Sequence, residues 1–500
     1  MERGSRPFWI WPAVTVLVLA LAWWQLPAQF GVLPVYLWTD RLIFLLLAGA
    51  LFLGSWIRRR EHLRQPWVEV FRQRRAMVAL VVLLAFVITG LLDSVHYRKP
   101  LPAVDGQQGV QYSVEVVTLL DELLGTLREG TEKTYSAPFA MTQLSRETVT
   151  LPDGTQARIR PRLRHGGAHL TDPSQRGRDI VVTGLTGAAI GIGLTSLIWL
   201  LLGAILSRRW QTSWPAALAR IVRGRTEVPW RAILVTAGIL LVLMAMTALW
   251  SRHWHVFGTD KVGEDVLYLA IKSIRTGLVI GTLTTLVMLP FAILLGIMAG
   301  YFRGWVDDVI QYLYTTLSSI PGVLLIAAAV LSIQVYIANH PDLFETATDR
   351  ADLRLLALCV ILGITSWTTL CRLLRGETFK LREMDYIQAA TAFGVGHFTI
   401  LGRHVLPNVL HIVLIIVVLD FSGLVLAEAV LSYVGVGVDP STISWGNMIN
   451  GARLELAREP VVWWSLAAAF VFMFALVLSA NLFADAVRDA FDPRLREQSP

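Results

Sequence analysis

Ten apolar stretches, each at least 18 residues long, recur along this 500-residue chain: 8–25, 38–57, 76–93, 181–206, 231–250, 272–300, 309–337, 354–374, 405–433 and 461–486. A bilayer's hydrocarbon core is about 30 Å thick, which about 20 helical residues cross. Inside that core each backbone N–H and C=O needs a partner within its own segment, so stretches of this length fold as helices. Only 16% of the residues are charged, and the mean hydropathy is +0.56. The expected class is an all-α polytopic membrane protein.

The arginines set the orientation. Arg58, Arg59, Arg60, Arg64, Arg72, Arg74 and Arg75 fall between the second and third stretches. Arg208, Arg209, Arg220, Arg223 and Arg225 follow the fourth, and Arg372, Arg375, Lys380, Arg382 and Arg403 lie around the loop after the eighth. With ten spans and the N-terminus inside, all three groups share one side, the cytoplasmic one by the positive-inside rule. Arg158, Arg160, Arg162, Arg164, Arg176 and Arg178 stand on the opposite side, in a long segment of the kind that crosses regardless of charge. The net charge of +7 is thus accounted for by loops between spans, which argues against nucleic-acid binding. The stretch at 8–25 is expected to stay as an anchor, since it lacks a clear small-x-small cleavage site.

The long outer segment, 95–179, is expected to form a small α+β module. Val116, Leu120, Leu123 and Leu127 recur at helical spacing and predict an amphipathic helix over 113–128. Thr148 to Ile159 reads as a hairpin turning at Asp153-Gly154.

Between the eighth and ninth stretches runs Tyr386-Ile-Gln-Ala-Ala-Thr-Ala-Phe-Gly394, followed by Leu406-Pro407-Asn408. Ala389, Ala390 and Ala392 allow a short helix to approach a partner closely, Gly394 offers a flexible break, and Pro407 suits a helix start. Arg382, Glu383 and Asp385 keep the segment in water. This segment resembles the "EAA" loop of the permease subunits of oligopeptide, dipeptide and nickel ABC importers, with Gln388 where the family usually has Glu. Further motifs carry the resemblance. Phe257-Gly-Thr-Asp-Lys-Val-Gly-Glu-Asp-Val266 is similar to an outer-face GTDxxGRDV segment, with Glu264 in place of Arg. Gly300-Tyr-Phe-Arg-Gly-Trp-Val-Asp307 is similar to a GYFGGWVD turn, Ser444-Trp-Gly-Asn-Met448 to PSWGNM, and Phe491-Asp-Pro-Arg-Leu-Arg496 to LDPRLR.

The resemblance covers about 225–500 and implies a six-helix type I permease core, with four extra N-terminal spans. The implied organisation is an extension with three spans over 1–94 and a periplasmic module over 95–179. A fourth span with a basic linker follows over 180–224, then the permease domain over 225–500 with its EAA loop at 376–404. It also implies partners: a second homologous permease, two cytoplasmic ATPases that bind the ATP and Mg, and a periplasmic binding protein, all at a bacterial inner membrane whose lipid surrounds the spans. Both termini would be cytoplasmic. Docking of the ATPases falls on Asp385, Tyr386, Gln388, Ala389, Ala390, Gly394, Leu406 and Pro407. The outer-face motif residues are Gly258, Thr259, Asp260, Gly263, Asp265, Trp445, Gly446 and Asn447. Asp260, Glu264 and Asp265 read as a solvated helix N-terminus or as a docking contact for the binding protein.

Four polar residues fall within spans, where such groups count as functional candidates. Asp420 and Glu428 are eight positions apart and so share roughly one helix face. Asp420 either lines the path or binds a peptide's amino terminus, or else bonds to neighbouring helices. Glu428 is expected to be structural or to gate, and Asn481 and Asp485 to pin helices at the inner end. Gly187-x-x-x-Gly191 and Gly296-x-x-x-Gly300 are close-packing faces. Cys359 and Cys371 are expected to be buried packing residues, with no disulfide. The sequence holds no GxxxxGK[ST] and no HExxH, so no catalytic group, no cofactor and no metal is assigned to this chain. His253 and His255, beside Trp254, are expected to anchor at the interface. Peptide is the expected substrate, with nickel, opines and glycosides left open. The rival readings are a gradient-driven secondary transporter coupled through Asp420 or Glu428, and a non-transporting scaffold or sensor using 95–179.

Overall fold

The computed structural model describes residues 31–58, 61–101, 110–150, 156–340 and 346–491. Among these, nine helices are long and apolar enough to cross a membrane. They coincide with nine of the ten apolar stretches, and the tenth, 8–25, lies outside the described residues. The N-terminal part contributes α1 (Trp38–Ile57), a short amphipathic α2 (Glu61–Arg72) and α3 (Arg74–Asp93).

The α+β module follows. Strands β1 (Leu33–Val35), β2 (His96–Pro100) and β3 (Tyr112–Thr118) form an antiparallel sheet in that order. Short helices α4 (Leu119–Leu123) and α5 (Gly125–Glu129) come next, then β4 (Glu147–Thr150) paired antiparallel with β5 (Gln156–Ile159). The predicted hairpin is therefore formed, although its Asp153-Gly154 turn lies outside the described residues. The predicted helix over 113–128 is not formed. Its first half is strand β3, where the β-branched run Val114, Val116, Val117 and Thr118 favours extended backbone. Helix begins only at Leu119, capped by Thr118, whose side chain accepts from the Asp121 N–H while its own N–H donates to the Asp121 carboxylate.

The rest of the chain is helical: α6 (Arg176–Trp210), α7 (Trp214–Val222), α8 (Trp230–Trp250), α9 (Val266–Phe302), α10 (Trp305–Ser319), α11 (Gly322–Asn339) and α12 (Ala347–Arg382). Then come α13 (Asp385–Ala392), a turn α14 (His397–Ile400), α15 (Leu406–Val434), α16 (Trp445–Ala452) and α17 (Trp464–Phe491). The stretch 309–337, expected as one span, is two helices. Pro321 holds Ile320 in extended backbone (φ −87°, ψ 131°), so α10 stops there and only α11 is long and apolar enough to span.

Helices α9 and α12 form the centre. At 37 residues α9 is about 55 Å long, well beyond the bilayer core, so it extends past the hydrocarbon. Glycines set the closeness of packing. A Cβ at Gly296 would stand 2.8 Å from the Cys371 carbonyl, and one at Gly363 would stand 2.7 Å from Val287. Gly187 and Gly191 likewise press α6 onto the Met246 and Val242 backbone of α8, at 2.7 and 2.5 Å. Cys359 and Cys371 are both buried and free. Helix α8 packs on α6 and α3, and α3 also packs on α9 and α17, so the N-terminal helices are continuous with the rest of the bundle.

Candidate coupling and outer-face sites

The loop joining α12 to α15 is anchored from beneath and bare above. Ile387, Ile400 and Val405 are buried in a cluster with Leu370, Leu374 and Tyr301. Around them Arg382 Nη1 donates to the Tyr301 carbonyl at 2.8 Å, and the Tyr301 hydroxyl meets His397 Nδ1 at 3.0 Å. Arg375 binds Asp307 with two hydrogen bonds, Nε at 2.5 Å and Nη2 at 2.7 Å, tying α12 to α10.

Above this floor, α13 presents Asp385, Tyr386, Gln388 and Ala389 outward, with Ala390 half-buried. Phe393 is 87% exposed and Phe398 86%. Gln388 donates to the Glu383 carbonyl at 3.2 Å, and Asn408 donates to the Tyr386 hydroxyl at 3.1 Å. Gly394 turns the chain after α13, and its φ of +75° is the left-handed conformation that ends the helix. Leu406 and exposed Pro407 open α15, where the missing proline N–H needs no partner.

The outer-face motif is different, because the module lies on top of it. Thr259 Oγ1 donates to the Thr134 carbonyl at 2.9 Å and accepts from the Ser136 N–H at 2.7 Å. The Glu132 N–H donates to the Gly263 carbonyl at 2.8 Å. At Gly263 (φ +83°) a Cβ would overlap the Glu132 carbonyl oxygen, and one at Gly258 would meet that of Ser136. Asp265 is not solvated as expected. It is buried, caps α9 by accepting from the Leu267 N–H at 2.8 Å, and lies 2.7 Å from His255 Nδ1. Asp260 turns the loop by accepting from the Val262 and Glu264 N–H groups, both at 2.9 Å, and burial raises its carboxyl above the usual range. Only Glu264 of these three acids is exposed.

His255, expected as an interface anchor, is instead a buried bridge, while His253 is exposed. Its other nitrogen, Nε2, lies 3.4 Å from Glu132 Oε1. Burial alone would lower its pKa, but the hydrogen bonds to Asp265 and Glu132 outweigh that and raise it to about 9. Burial pushes Glu132 up, yet His255 and the N–H groups of Arg164, His165 and Gly166 bring it down to about 2. An imidazolium between two carboxylates thus joins module to bundle. Sequence reading missed Glu132 altogether.

It also missed a second joint. Lys272 Nζ lies 2.7 Å from Asp121 and 3.0 Å from Asp93, and Arg275 Nη2 lies 2.6 Å from Asp40. Asp352 of α12 accepts from the Trp38 N–H at 2.8 Å and from the Thr39 hydroxyl. Two cations one turn apart at the start of a predicted span were the available signal.

The Ser444–Met448 segment is an internal brace. Trp445 Nε1 donates to the Ala270 carbonyl at 3.0 Å, Asn447 Nδ2 to the Asp439 carbonyl at 2.9 Å, and Gly446 fits against Ser432 and Glu428. Glu428 is buried and accepts from the Ser432 hydroxyl at 2.7 Å. Asn481 accepts from the Ser422 hydroxyl at 2.7 Å. Asp485 is exposed, and the ion pair at this end is Arg75 with Asp489, at 2.5 Å. Asp420 is half-buried, with no hydrogen bond or ion pair among the described residues. The described residues contain no cluster of side chains able to hold a metal.

Residues 292–497 match the family described as the binding-protein-dependent transport system inner membrane component. A putative peptide permease protein of Brucella suis is 31% identical over 255 residues, covering 50% of this chain and 77% of the relative. The chain belongs to this family of ABC importer permease subunits. Other permeases in the family show how far the likeness extends. The glutathione transport system permease protein GsiD of Pectobacterium atrosepticum is 28% identical over 324 residues, 58% of this chain and 99% of the relative. The oligopeptide transport system permease protein OppC of Mycobacterium tuberculosis is 30% identical over 246 residues, 49% and 77% respectively. This permease therefore carries substantial sequence beyond what those alignments cover.

Proposed function

We propose that this permease conducts peptides inward across the bacterial inner membrane, paired with a second homologous permease and driven by two cytoplasmic ATPases. ATP and Mg are bound by those ATPases, and this chain has no ATPase site of its own. A periplasmic binding protein delivers the substrate. The peptide class rests on the substrates for which the relatives are named, which are peptides, oligopeptides and glutathione.

The observation that carries the coupling reading is the exposed α13 ridge, with Phe393 and Phe398 both more than four-fifths exposed above a fixed floor. Two exposed aromatic rings on a polar loop are a protein-docking feature. Force on α13 reaches α9 through Arg382 and Tyr301, α10 through Arg375 and Asp307, and α15 through the turn at 401–405. The glycine-tight contact of α9 with α12 leaves little slack, so the helices move as packed bodies and drive alternating access. Asp420, half-buried in α15 with no partner among the described residues, is the candidate for lining the path.

The test is affinity purification of the tagged full chain from its native membrane, beside a Phe393→Asp variant. Recovery of a P-loop ATPase with the parent, and its loss from the equally abundant variant, supports the reading. An ATPase retained by the variant removes the docking assignment. No ATPase with either chain, under conditions that keep other membrane complexes intact, sinks the coupling reading.

A further inference from the structure

A groove between α6, α7 and α8 belongs to neither face described above. Its open volume is about 710 Å³, within the 300–1,000 Å³ range of ligand sites. Its walls are almost wholly apolar, with Ile192 and Trp199 from α6, Leu218 and Val222 from α7, and Leu234 and Leu243 from α8. At its floor a Cβ on Gly238 would stand 2.6 Å from Thr195 Cγ2, so the two helices meet there without a gap. Along α8 the lining runs from Leu234 to Leu243, about 14 Å at 1.5 Å per residue. One leaflet of hydrocarbon is about 15 Å deep.

The rim at the α7 end is basic. Between 207 and 231 stand Arg208, Arg209, Arg220, Arg223, Arg225 and Arg231, against the single acid Glu227. All six arginines are exposed, and none forms an ion pair with the described residues. Trp214 Nε1 donates to the Leu200 carbonyl at 3.3 Å and fixes α7 across the mouth, while Arg220 lies over the Trp210 ring at 6.0 Å.

We propose that this groove holds an anionic diacyl phospholipid of the cytoplasmic leaflet, one acyl chain in the groove and the phosphate headgroup on the arginine rim. Topology alone asks for arginines on this side but not for a slot one leaflet deep beside them. Basic sites beside spans on the cytoplasmic side suit anionic headgroups. The bound lipid would fill the seam between α6 and α8.

Native mass spectrometry of the purified full chain, titrated separately with phosphatidylglycerol and phosphatidylcholine, tests this. The parent should retain phosphatidylglycerol at least about ten-fold better. Joint substitution Arg220→Gln, Arg223→Gln and Arg225→Gln should remove that preference, at about five-fold per arginine. Ser196→Trp, which enters the groove from an exposed position, should lower retention of both lipids. A matched variant in the other basic loop, Arg64→Gln, Arg72→Gln and Arg74→Gln, should leave the preference intact. Equal retention of the two lipids by the parent overturns the proposal. So does an equal loss from the control variant, which would mean diffuse charge only. Displacement of a copurifying membrane protein by Ser196→Trp, with lipid retained, would make the groove a subunit interface and overturn it as well.

Discussion

The two ends of this permease treat equally recognisable motifs in opposite ways. At the α13 end the motif is bare: Phe393 and Phe398 project from a floor made by Ile387, Ile400 and Val405. At the outer end the motif is roofed by the module, with Thr259 and Asp265 almost fully buried beneath residues 132–136 and 164–166. A sequence motif therefore specifies a backbone shape, and accessibility is decided separately by what else the chain folds over it. Variants should follow that split, with outer-face changes acting on stability and α13-face changes acting on the partner.

The largest effect is expected at the roofed joint. His255→Ala leaves Glu132 and Asp265 buried without their shared cation, and breaking a buried pair in this way costs roughly 3–5 kcal/mol. The thermal midpoint of the purified chain should fall, and proteolysis should release the module. Phe393→Ala, in contrast, should leave the midpoint unchanged. Equal midpoints for parent and His255→Ala would show that the roof is not held by this bridge.

Titration should open the same joint without mutation. His255 is raised from 6.5 to about 9, so its contribution is complete below pH 6.5 and is lost as pH rises through 9. Glu132 is lowered from 4.5 to about 2, so its contribution is complete above pH 4.5 and is lost as pH falls through 2. Between pH 4.5 and 6.5 the joint is tightest. Hydrogen exchange over 130–137 and 253–265, corrected for intrinsic rate, should therefore rise towards pH 9 while α13 shows no such change. Identical pH profiles for the two ends would break the comparison.

How much of this was legible in the sequence depends on the range of the interactions. The nine described spans were readable because bilayer thickness imposes a local length, and β4 pairs with β5 across a short loop. The break at Ile320-Pro321 was also local, but an apolar run on both sides masked it. Strand β3 was misread because Val116, Leu120, Leu123 and Leu127 fit a helical period, which outweighed the β-branched run at 114–118 that pairs with β2. The roof over Thr259 was out of reach, since Ser136 and Thr259 are 123 residues apart. Nothing in the neighbourhood of Glu132 marks it as the partner of His255. Asp485 and Asp489 lie one helical turn apart, and which of them pairs depends on where Arg75 of α3 falls.

Two glycines give a finer comparison. Gly263 and Gly394 both have positive φ, but only Gly263 is roofed. Gly394→Ala meets no atom within 4 Å and carries the backbone penalty alone, about 1 kcal/mol. Gly263→Ala adds an overlap with the Glu132 carbonyl, which should raise the loss above 2 kcal/mol. Thermal midpoints of the two variants, measured together, should rank Gly263→Ala clearly lower. The reverse order would place the module away from the motif.

The smallest effect should have the opposite sign. Arg303 stands where the resembled GYFGGWVD turn has glycine, and its backbone lies at φ +58°, ψ −170°, a region essentially reserved for glycine. The side chain is held by an ion pair to Glu383 and by the Phe379 ring, 5.2 Å from the guanidinium. Both charges of that pair are about half exposed, so it contributes at most about 1 kcal/mol. The backbone strain is about 1–3 kcal/mol. Arg303→Gly should therefore be neutral or stabilising by about 1 kcal/mol, visible as an unchanged or slightly higher thermal midpoint. Because Glu383 opens the turn into α13, the same variant should loosen that turn, and faster hydrogen exchange over 383–388 would show it. A fall of several degrees in midpoint would mean that the Glu383 and Phe379 contacts outweigh the strain, making this turn a structural joint like the roofed one.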